Sequence, residues 1–409
     1  MQMNRLAERP LKLSDRHFVQ DPHSHFAWMR QNAPVYEAQL SLFKKAFLIT
    51  RYEDVLAALH DTNQLVKDPN NAKTKSGGSG NFWLPPNFRP LMHNMLNSDA
   101  PNHRRLRNLV HKAFTPRMIM QLAPRIEAIA HDLLDKASRK HEIDLIQDFA
   151  LPLPVTVIAD MIGIPKEDHE RFRGWTENIV VNPTPLNMLK AIPAVSKMVK
   201  YTRQLADKRR VDPQDDLMTA LVQAEDEGER FTEDELLGMV FLLVVAGHET
   251  TVNLIANGTL ALLTHPDQLN LLRSDWSLME TAVEEMLRFD GPLQTTELYF
   301  AREEYELHGV TIPQGVAVLP AILSANRDES VFENPNHLDI TRKPNKHLAF
   351  GQGIHYCLGA PLARLEGKIA FCALLERHPN LRLAVDKDAL TYEPIMLLHR
   401  LRNLPVSLN

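Results

Sequence analysis

One of the two cysteines in the chain, Cys357, lies in the glycine-rich segment FGQGIHYCLG (350–359). No C-x-x-C pair is present, which argues against a zinc site, and the residues after the cysteine exclude covalent c-type haem attachment. A nucleophilic cysteine with His355 as its base is conceivable, although side chains two residues apart diverge on most backbones. A thiolate ligand fits better, because glycines permit tight turns and a close approach of the backbone to a flat cofactor. The glycines concerned are Gly351, Gly353 and Gly359.

The segment that follows, LGAPLARLEGKIAF (358–371), has the pattern of a helix. Its N-terminal end would lie at the sulfur of Cys357. The helix dipole and the free N–H groups of the first turn favour an anion at that place. The sequence therefore predicts that this cysteine is held as a thiolate.

A second candidate group lies inside a long apolar helix. Thr232 and Glu235 form a capping-box pattern, and nothing stops the helical periodicity before Pro266. This predicts a helix of roughly 30 residues, about 45 Å long, which would cross the whole domain. Its middle carries the polar sequence AGHETT (246–251).

The AGHETT group must satisfy its polar side chains within that helix. Thr250 can donate a hydrogen bond to the carbonyl of Ala246, and such back-bonding bends helices. Gly247 lowers the helix propensity further, so we expect a widened turn with room for water or a small ligand. Zinc is excluded because Val252 replaces the second histidine of the H-E-x-x-H motif. Taken alone, the group is more simply interpreted as a satisfied buried polar cluster.

Two further motifs place charged residues on helix faces. In HRRLR, His103 and Arg107 are four residues apart and can bind one anion together. Glu285 and Arg288 are three residues apart and can form an ion pair, for which His337 is our candidate third partner. Each pattern alone is commonplace, since solvated basic faces and helix-surface ion pairs have the same spacing.

The rest of the chain predicts an α+β fold that is mainly α with a small β region. Apolar residues recur every three or four positions from about residue 98 to 288, and short strand patterns occur at 35–39, 45–50 and 305–321. We expect the small sheet to lie to one side of the helices. No internal repeat or linker divides the chain, which predicts a single domain over 1–409.

Composition narrows the class of protein. The 409 residues carry a net charge of −5, so no basic field favours nucleic acid. Two cysteines are too few for a disulfide framework, which favours a reducing compartment. The N-terminal segment lacks the apolar core of a signal peptide, and the longest apolar run, 236–247, is shorter than the roughly 20 residues that a bilayer needs. We expect a soluble cytoplasmic protein without a membrane anchor.

Together, the four motifs resemble those of the cytochrome P450 superfamily. FGQGIHYCLG resembles the haem-binding signature of these thiolate-ligated proteins, and AGHETT resembles the oxygen-activation motif of their central helix. The residues from Glu285 to Arg288 match the E-x-x-R motif, and HRRLR resembles the propionate-binding helix. The motifs follow the family's order over 99–366. The resemblance implies the P450 fold, with the long central helix over haem b and the sheet to one side.

The resemblance also implies a role for each matched residue. Cys357 would be the axial ligand of the haem iron, and Phe350 would pack against the haem near the sulfur. Glu285 and Arg288, with His337, would form a structural triad that braces the ligand loop. The remaining haem contacts would come from His103, Arg107, His355, Gly351 and Gly359.

One residue departs from the family pattern. Family members often carry an arginine two residues before the alanine of FAREEYELHG, where it binds a haem propionate. Tyr299 occupies that position here. Its hydroxyl can still donate a hydrogen bond to a propionate.

The implied activity is monooxygenation with dioxygen. Glu249 would relay protons from solvent, and Thr250 would position the water that delivers them, within the motif that also contains Ala246 and Gly247. No flavin or iron–sulfur segment is present, so the resemblance implies a ferredoxin or flavodoxin with its reductase as electron donor, and we expect a monomer. The candidate docking cations are Arg104, Arg105, Lys112, Arg342, Lys343, Lys346, Arg364 and Lys368.

The substrate is expected to be a medium-sized hydrophobic molecule such as a fatty acid, terpenoid, steroid or polyketide, because the candidate pocket residues are mostly apolar. These residues are Phe82, Trp83, Leu242, Val245, Ala246, Leu293, Thr295, Leu298, Met396 and Leu397. Three other functions compete: a peroxygenase that uses hydrogen peroxide, a non-catalytic haem protein, and a haem-free cysteine hydrolase.

Overall fold

The computed structural model describes residues 11–41, 44–72, 90–179 and 185–409. Helices predominate among them. The helices are α1 Arg16–Gln20, α2 Pro22–Asn32, α3 Tyr52–His60, α4 Asn102–Ala113, α5 Pro116–Gln121, α6 Ala123–Ala137, α7 Pro152–Ile162, α8 His169–Ile179, α9 Pro185–Val211, α10 Leu217–Gln223, α11 Glu233–Thr264, α12 Pro266–Ser274, α13 Met279–Asp290, α14 Ile322–Ala325 and α15 Ala360–Arg377.

The strands are few and short, which confirms the predicted mainly α fold with a small β region. They are β1 Leu11–Lys12, β2 Val35–Ser41, β3 Lys44–Ile49, β4 Leu65–Val66, β5 Glu142–Asp144, β6 Tyr299–Ala301, β7 Tyr305–Leu307, β8 Val310–Ile312, β9 Ala317–Pro320, β10 Arg382–Leu383 and β11 Pro405–Ser407. A six-stranded sheet has the order β1-β2-β3-β9-β6-β4. A three-stranded sheet, β10-β11-β5, and the hairpin β7-β8 complete the β structure of the described residues.

Helix α11 confirms the predicted long central helix. The hydroxyl of Thr232 accepts a hydrogen bond from the backbone N–H of Glu235, and the Glu235 carboxylate accepts one from the N–H of Thr232, so both bonds of the capping box are present. By length and apolar composition α11 could cross a membrane, as can the core helix of a soluble protein. Most of it is buried against neighbouring helices in the main apolar core.

The expected widened turn in α11 is wrong. The helix is α-helical throughout, and Gly247 instead permits close packing, because a Cβ there would lie 2.7 Å from Cδ1 of Ile158 in α7. Gly258 plays the same part farther along, where a Cβ would lie 2.6 Å from the ring of Phe371 in α15. At these two glycines α11 packs closely against α7 and α15, and the AGHETT segment lies in regular α-helix.

Candidate active site

The cysteine loop owes its shape to two glycines with left-handed backbone. Gly351 has φ +67° and Gly353 has φ +69°. A Cβ at Gly353 would also lie 2.5 Å from the carbonyl oxygen of Leu59, so only glycine fits there. The N–H of Cys357 donates to the carbonyl of Phe350 at 2.9 Å and closes the loop.

The sulfur of Cys357 lies at the N-terminal end of α15, as predicted. The N–H groups of Gly359 and Ala360 donate to it. Burial raises the pKa of the thiol, while these donors and the nearby cations Arg107 and Arg364 lower it. The φ of Gly359 is −82°, which any residue adopts, so the tight-turn role expected for this glycine is wrong. A Cβ there would meet only the sulfur, at 3.9 Å.

A carboxylate that sequence reasoning missed braces this loop. Glu284 in α13 accepts hydrogen bonds from Arg364 at 2.6 and 2.8 Å and from Nε2 of His347 at 3.0 Å. Nδ1 of His347 accepts the N–H of Ala349 at 3.2 Å, so Nε2 carries the proton. The guanidinium of Arg364 also lies 4.4 Å from the ring centroid of Phe350. Burial raises the pKa of Glu284, but these hydrogen bonds outweigh it and lower the pKa to about 2.

The neighbouring Glu285 and Arg288 form the predicted ion pair, with two hydrogen bonds of 2.7 and 2.8 Å and no solvent exposure. The third side chain is not His337, which is exposed and contributes only its carbonyl, 3.2 Å from the guanidinium. Arg342 takes that place, since its Nε donates to both oxygens of Glu285 at 3.2 Å, and Asn345 adds a bond of 3.1 Å. The contacts of Arg342 and Asn345 could not be inferred from the i,i+3 spacing of Glu285 and Arg288, because the chain between α13 and residue 345 must fold back first.

The acid and hydroxyl of AGHETT are both oriented by the protein. Thr250 donates its hydroxyl hydrogen bond to the carbonyl of Ala246 at 2.8 Å, which confirms that expectation. Glu249 is buried, and Nη1 of Arg400 donates to its Oε2 at 3.1 Å. Nε2 of His248 lies 3.4 Å from the other oxygen. Arg400 was missed because it lies 151 residues farther along the chain.

A second buried carboxyl group lies below this segment. Glu366 in α15 interacts with the hydroxyl of Thr251, and burial raises its pKa to about 8. Burial therefore favours the protonated, uncharged form of this carboxyl group. The sequence did not predict this buried group, because Glu366 shows there only as a single charged residue within an apolar helical pattern.

The predicted propionate residues come together around a ring cluster. The rings of His103 and His355 are 4.4 Å apart at their centroids, and the ring of Tyr299 is 6.3 Å from that of His355. Arg107 donates to the carbonyl of Tyr356 at 2.8 Å. Burial lowers the pKa of His103 to about 4 and that of His355 to about 3.

This cluster fits the carboxylate edge of a haem. Nε2 of His103 is buried without a hydrogen-bond partner among the described residues, although the side chain lies beside the Arg107 guanidinium. An unpaired buried nitrogen is costly unless a ligand group bonds to it. Ala246 is exposed in the middle of the largely buried α11. The residues of the ring cluster therefore fit the polar, carboxylate-bearing edge of haem b.

The candidate pocket residues fall on three elements. Leu242 and Val245 are half-buried on α11, and Leu242 packs on the main core. Leu293 bridges Leu398, and the N–H of the residue after it donates to the carbonyl of Leu397 at 2.9 Å. The two segments 293–298 and 395–398 thus lie side by side.

Three other pocket candidates have identifiable neighbours. Leu298 and Met396 belong to one apolar cluster beside the sheet. Thr295 is buried, and its hydroxyl donates to the carbonyl of Thr296 at 3.0 Å. Phe82 and Trp83 lie outside the described residues.

Most of the candidate docking cations are already paired. Arg342 forms an ion pair with Glu285, and Arg364 forms one with Glu284, so these two cations are not free to bind a partner. The other ion pairs are Arg105 with Glu235, Lys112 with Asp226, and Lys368 with Glu280. Of the eight, those that are exposed and have no ion-pair partner within the described ranges are Arg104, Lys343 and Lys346.

Sequence and fold are both similar to those of known bacterial proteins. The family model described as Cytochrome P450 matches residues 11–277 and 271–397. Cytochrome P450 107B1 of Saccharopolyspora erythraea is 45% identical over 394 residues, which cover 96% of each chain. The 6-deoxyerythronolide B hydroxylase of the same organism is 40% identical over 398 residues, 96% of this chain and 97% of the relative. The structure of the Bacillus subtilis 168 bacillaene polyketide synthase cytochrome P450 PksS has a TM-score of 0.91 at 42% identity, covering 97% of this chain and 99% of that one.

Proposed function

The chain belongs to the cytochrome P450 family of oxygen-incorporating monooxygenases with haem b, and we propose that it hydroxylates or epoxidises a medium-sized hydrophobic molecule. A fatty acid, terpenoid, steroid or polyketide has the size and polarity that the apolar candidate pocket would accept. The relative named as a 6-deoxyerythronolide B hydroxylase supports a substrate of this class.

Haem b, when bound, supplies the chemistry that activates dioxygen and transfers one oxygen atom to the substrate. Cys357 would bind the iron through its thiolate, and the N–H groups of Gly359 and Ala360 would stabilise the anion. Phe350 would pack beside the sulfur. His103 and Arg107, together with His355, would bind the propionates through the polar edge described above.

The observation that carries the proposal is the hydrogen bond from Thr250 to the carbonyl of Ala246. Because the hydroxyl proton is committed to that carbonyl, the lone pairs of Oγ1 are left to accept a hydrogen bond from water. Thr250 would thereby position the water that delivers protons, and the carboxylate of Glu249 would relay them from solvent. Arg400 would hold that carboxylate in place between relay steps.

A spectrum tests the ligand assignment. Reduced wild-type protein exposed to carbon monoxide should show the shifted band of a thiolate-ligated haem. Cys357→Ser should lose this band, whereas Cys372→Ser, which changes the other cysteine, should keep it. A band that persists in Cys357→Ser would show that another group ligates the iron.

The fraction of consumed electrons that appears in oxidised product tests the proposed proton relay through Glu249 and Thr250. Thr250→Val should still consume NADH and dioxygen but release hydrogen peroxide in place of oxidised substrate. Thr259→Val is the matched control, because Thr259 makes the same kind of bond, to the carbonyl of Ile255 at 2.7 Å, in the same helix. Equal coupling in the two variants would remove the proposed role of Thr250.

Two activity measurements distinguish the proposed monooxygenase from the competing haem-dependent functions. Turnover with hydrogen peroxide alone, at a rate that added electron donors do not raise, would indicate a peroxygenase. Oxygen consumption that no substrate stimulates would indicate a non-catalytic haem protein.

We expect the electrons to come from a ferredoxin or flavodoxin with its reductase in the cytoplasm, and the protein to act as a monomer. Such donors are generally acidic, so the exposed Arg104, Lys343 and Lys346 are the revised docking candidates. Lys343→Glu combined with Lys346→Glu should slow reduction by the donor, most strongly at low salt. Reduction of the same variant by dithionite is the control and should not change.

Spectral titration against fatty acids, steroids and macrolides tests the substrate class. Hydrophobic binders should shift the haem absorbance, and polar compounds of similar size should not. Ala246→Leu should weaken the binding of large ligands more than that of small ones, because Ala246 is exposed in the middle of the largely buried α11. Uniform weakening would place the ligand away from this face of α11.

A further inference from the structure

Lys67 is a buried cation that none of the roles above uses. It follows β4 and is 6% exposed. Strand β4 pairs antiparallel with β6, with Val66 opposite Phe300, and the same register carried one residue farther places Lys67 opposite Tyr299. Nζ of Lys67 lies 3.7 Å from the centroid of the Tyr299 ring.

The ammonium group is poorly compensated by the protein itself. Within the described residues, Nζ donates one hydrogen bond, to the neutral carbonyl of Glu297 at 3.2 Å, although an ammonium has three donors. The nearby carboxylate of Asp99 is occupied by N–H donors from Lys67, Asp68 and Asn71 at 2.7 to 3.1 Å. Burial lowers the pKa of Lys67 to about 8, and the charges of Glu297 and Asp99 raise it only in part. The ammonium group therefore has unused donors that an additional anion would satisfy.

The rings of His355 and His103 adjoin the same tyrosine. Tyr299 contacts His355, and His355 contacts His103, whose buried Nε2 has no partner among the described residues. His103 is 3% exposed. The Lys67 ammonium, which uses one of its three donors, and the His103 imidazole, whose Nε2 has no partner among the described residues, therefore adjoin the same pair of rings, Tyr299 and His355.

We propose that Lys67 binds a haem propionate and supplies the positive charge that the family's arginine would provide at position 299. In this arrangement the cation lies at the end of β4 instead of on β6, where the family's arginine would lie. The ring face of Tyr299 supports the ammonium group. His103, Arg107 and His355 complete the site from α4 and the cysteine loop. This inference rests on haem ligation through Cys357 and is independent of the proposed substrate and electron donor.

The rate of haem transfer from the holoenzyme to excess apomyoglobin tests the assignment. Lys67→Met removes the charge but keeps most of the side-chain volume, and haem loss should accelerate about tenfold, as expected for one charge-assisted hydrogen bond. Lys67→Arg should retain the wild-type rate. The double variant Lys67→Met/Tyr299→Arg, which places an arginine at the family's position, should lose haem at close to the wild-type rate. Lys387→Met, which removes an exposed lysine with no proposed role, is the control and should not change the rate.

A failure of the proposed role of Lys67 can be distinguished from a failure of haem ligation by Cys357. The carbon monoxide band of Lys67→Met should keep its thiolate position, since Cys357 is untouched. Haem loss from Lys67→Met at the wild-type rate would overturn the proposal. So would faster loss that neither Lys67→Arg nor Tyr299→Arg restores, because that result would indicate a packing role for the lysine.

Discussion

Replacement of Glu284 by glutamine should loosen the cysteine loop measurably. The carboxylate binds Arg364 and His347 together, and its pKa is lowered from 4.5 to about 2. A shift of this size corresponds to about 3 kcal/mol of stability. The side chain is 29% exposed, and screening by solvent reduces the figure to about 2 kcal/mol. For a chain of 409 residues, we expect the melting temperature of Glu284→Gln to fall by about 2–3 °C at pH 7.

The pH dependence of this effect has a definite sign. A carboxylate with a lowered pKa in the folded state stabilises the protein fully above about pH 4.5, and the contribution is lost as the pH falls toward 2. The difference between wild type and Glu284→Gln should therefore shrink as the pH is lowered from 5 toward 3. Melting curves followed by haem absorbance and by far-ultraviolet circular dichroism measure it.

A matched substitution at an exposed pair provides the control. Glu280 binds Lys368 at 2.8 Å, but its side chain is 78% exposed, so Glu280→Gln should leave the melting temperature nearly unchanged. Equal melting temperatures of the two variants at pH 7 would refute the reasoning, as would a Glu284→Gln deficit that stays constant down to pH 3.

Three further predictions concern other contacts of the site. Arg342→Gln should lower the melting temperature because it leaves part of a fully buried carboxylate unpaired, whereas His337→Ala should not, since only the backbone of that residue contributes. Gly353→Ala should reduce haem retention in the purified protein, because alanine meets both a left-handed backbone and a carbonyl oxygen at 2.5 Å. Arg400→Gln should destabilise the fold, because it leaves the carboxylate of Glu249 buried without its cation. Adding Glu249→Gln should restore part of the lost stability. Additive effects of the two substitutions in a double-mutant cycle would contradict the ion pair.

Features that depend on neighbours in the chain were predictable. The capping box at Thr232, the back-bond of Thr250 and the Glu285–Arg288 pair each involve residues three or four positions apart, and helical geometry brings such residues together. The turn at Gly353 is similarly local, because a residue without a Cβ is the one that adopts positive φ without strain.

Features that depend on packing between distant segments were not predictable. Gly247 suggested a distorted helix, but the residue serves the contact with Ile158 in α7, which no local pattern reveals. His337 and Arg342 both lie in a turn-rich segment, and only the folded path shows which of them presents its side chain to Glu285.

The amino-acid sequence by itself indicated the long helix and the mainly α fold, because those rest on residue types at short, regular spacing. Its four motifs carried the family resemblance that implied haem-thiolate chemistry. The tertiary structure alone decided the partners of the buried charges: Arg400 for Glu249, Arg364 for Glu284, and Lys67 beside Tyr299. The physical reason is that a buried ion must find its counter-charge wherever the packed chain brings one within about 3 Å, and separation along the chain places no limit on that choice.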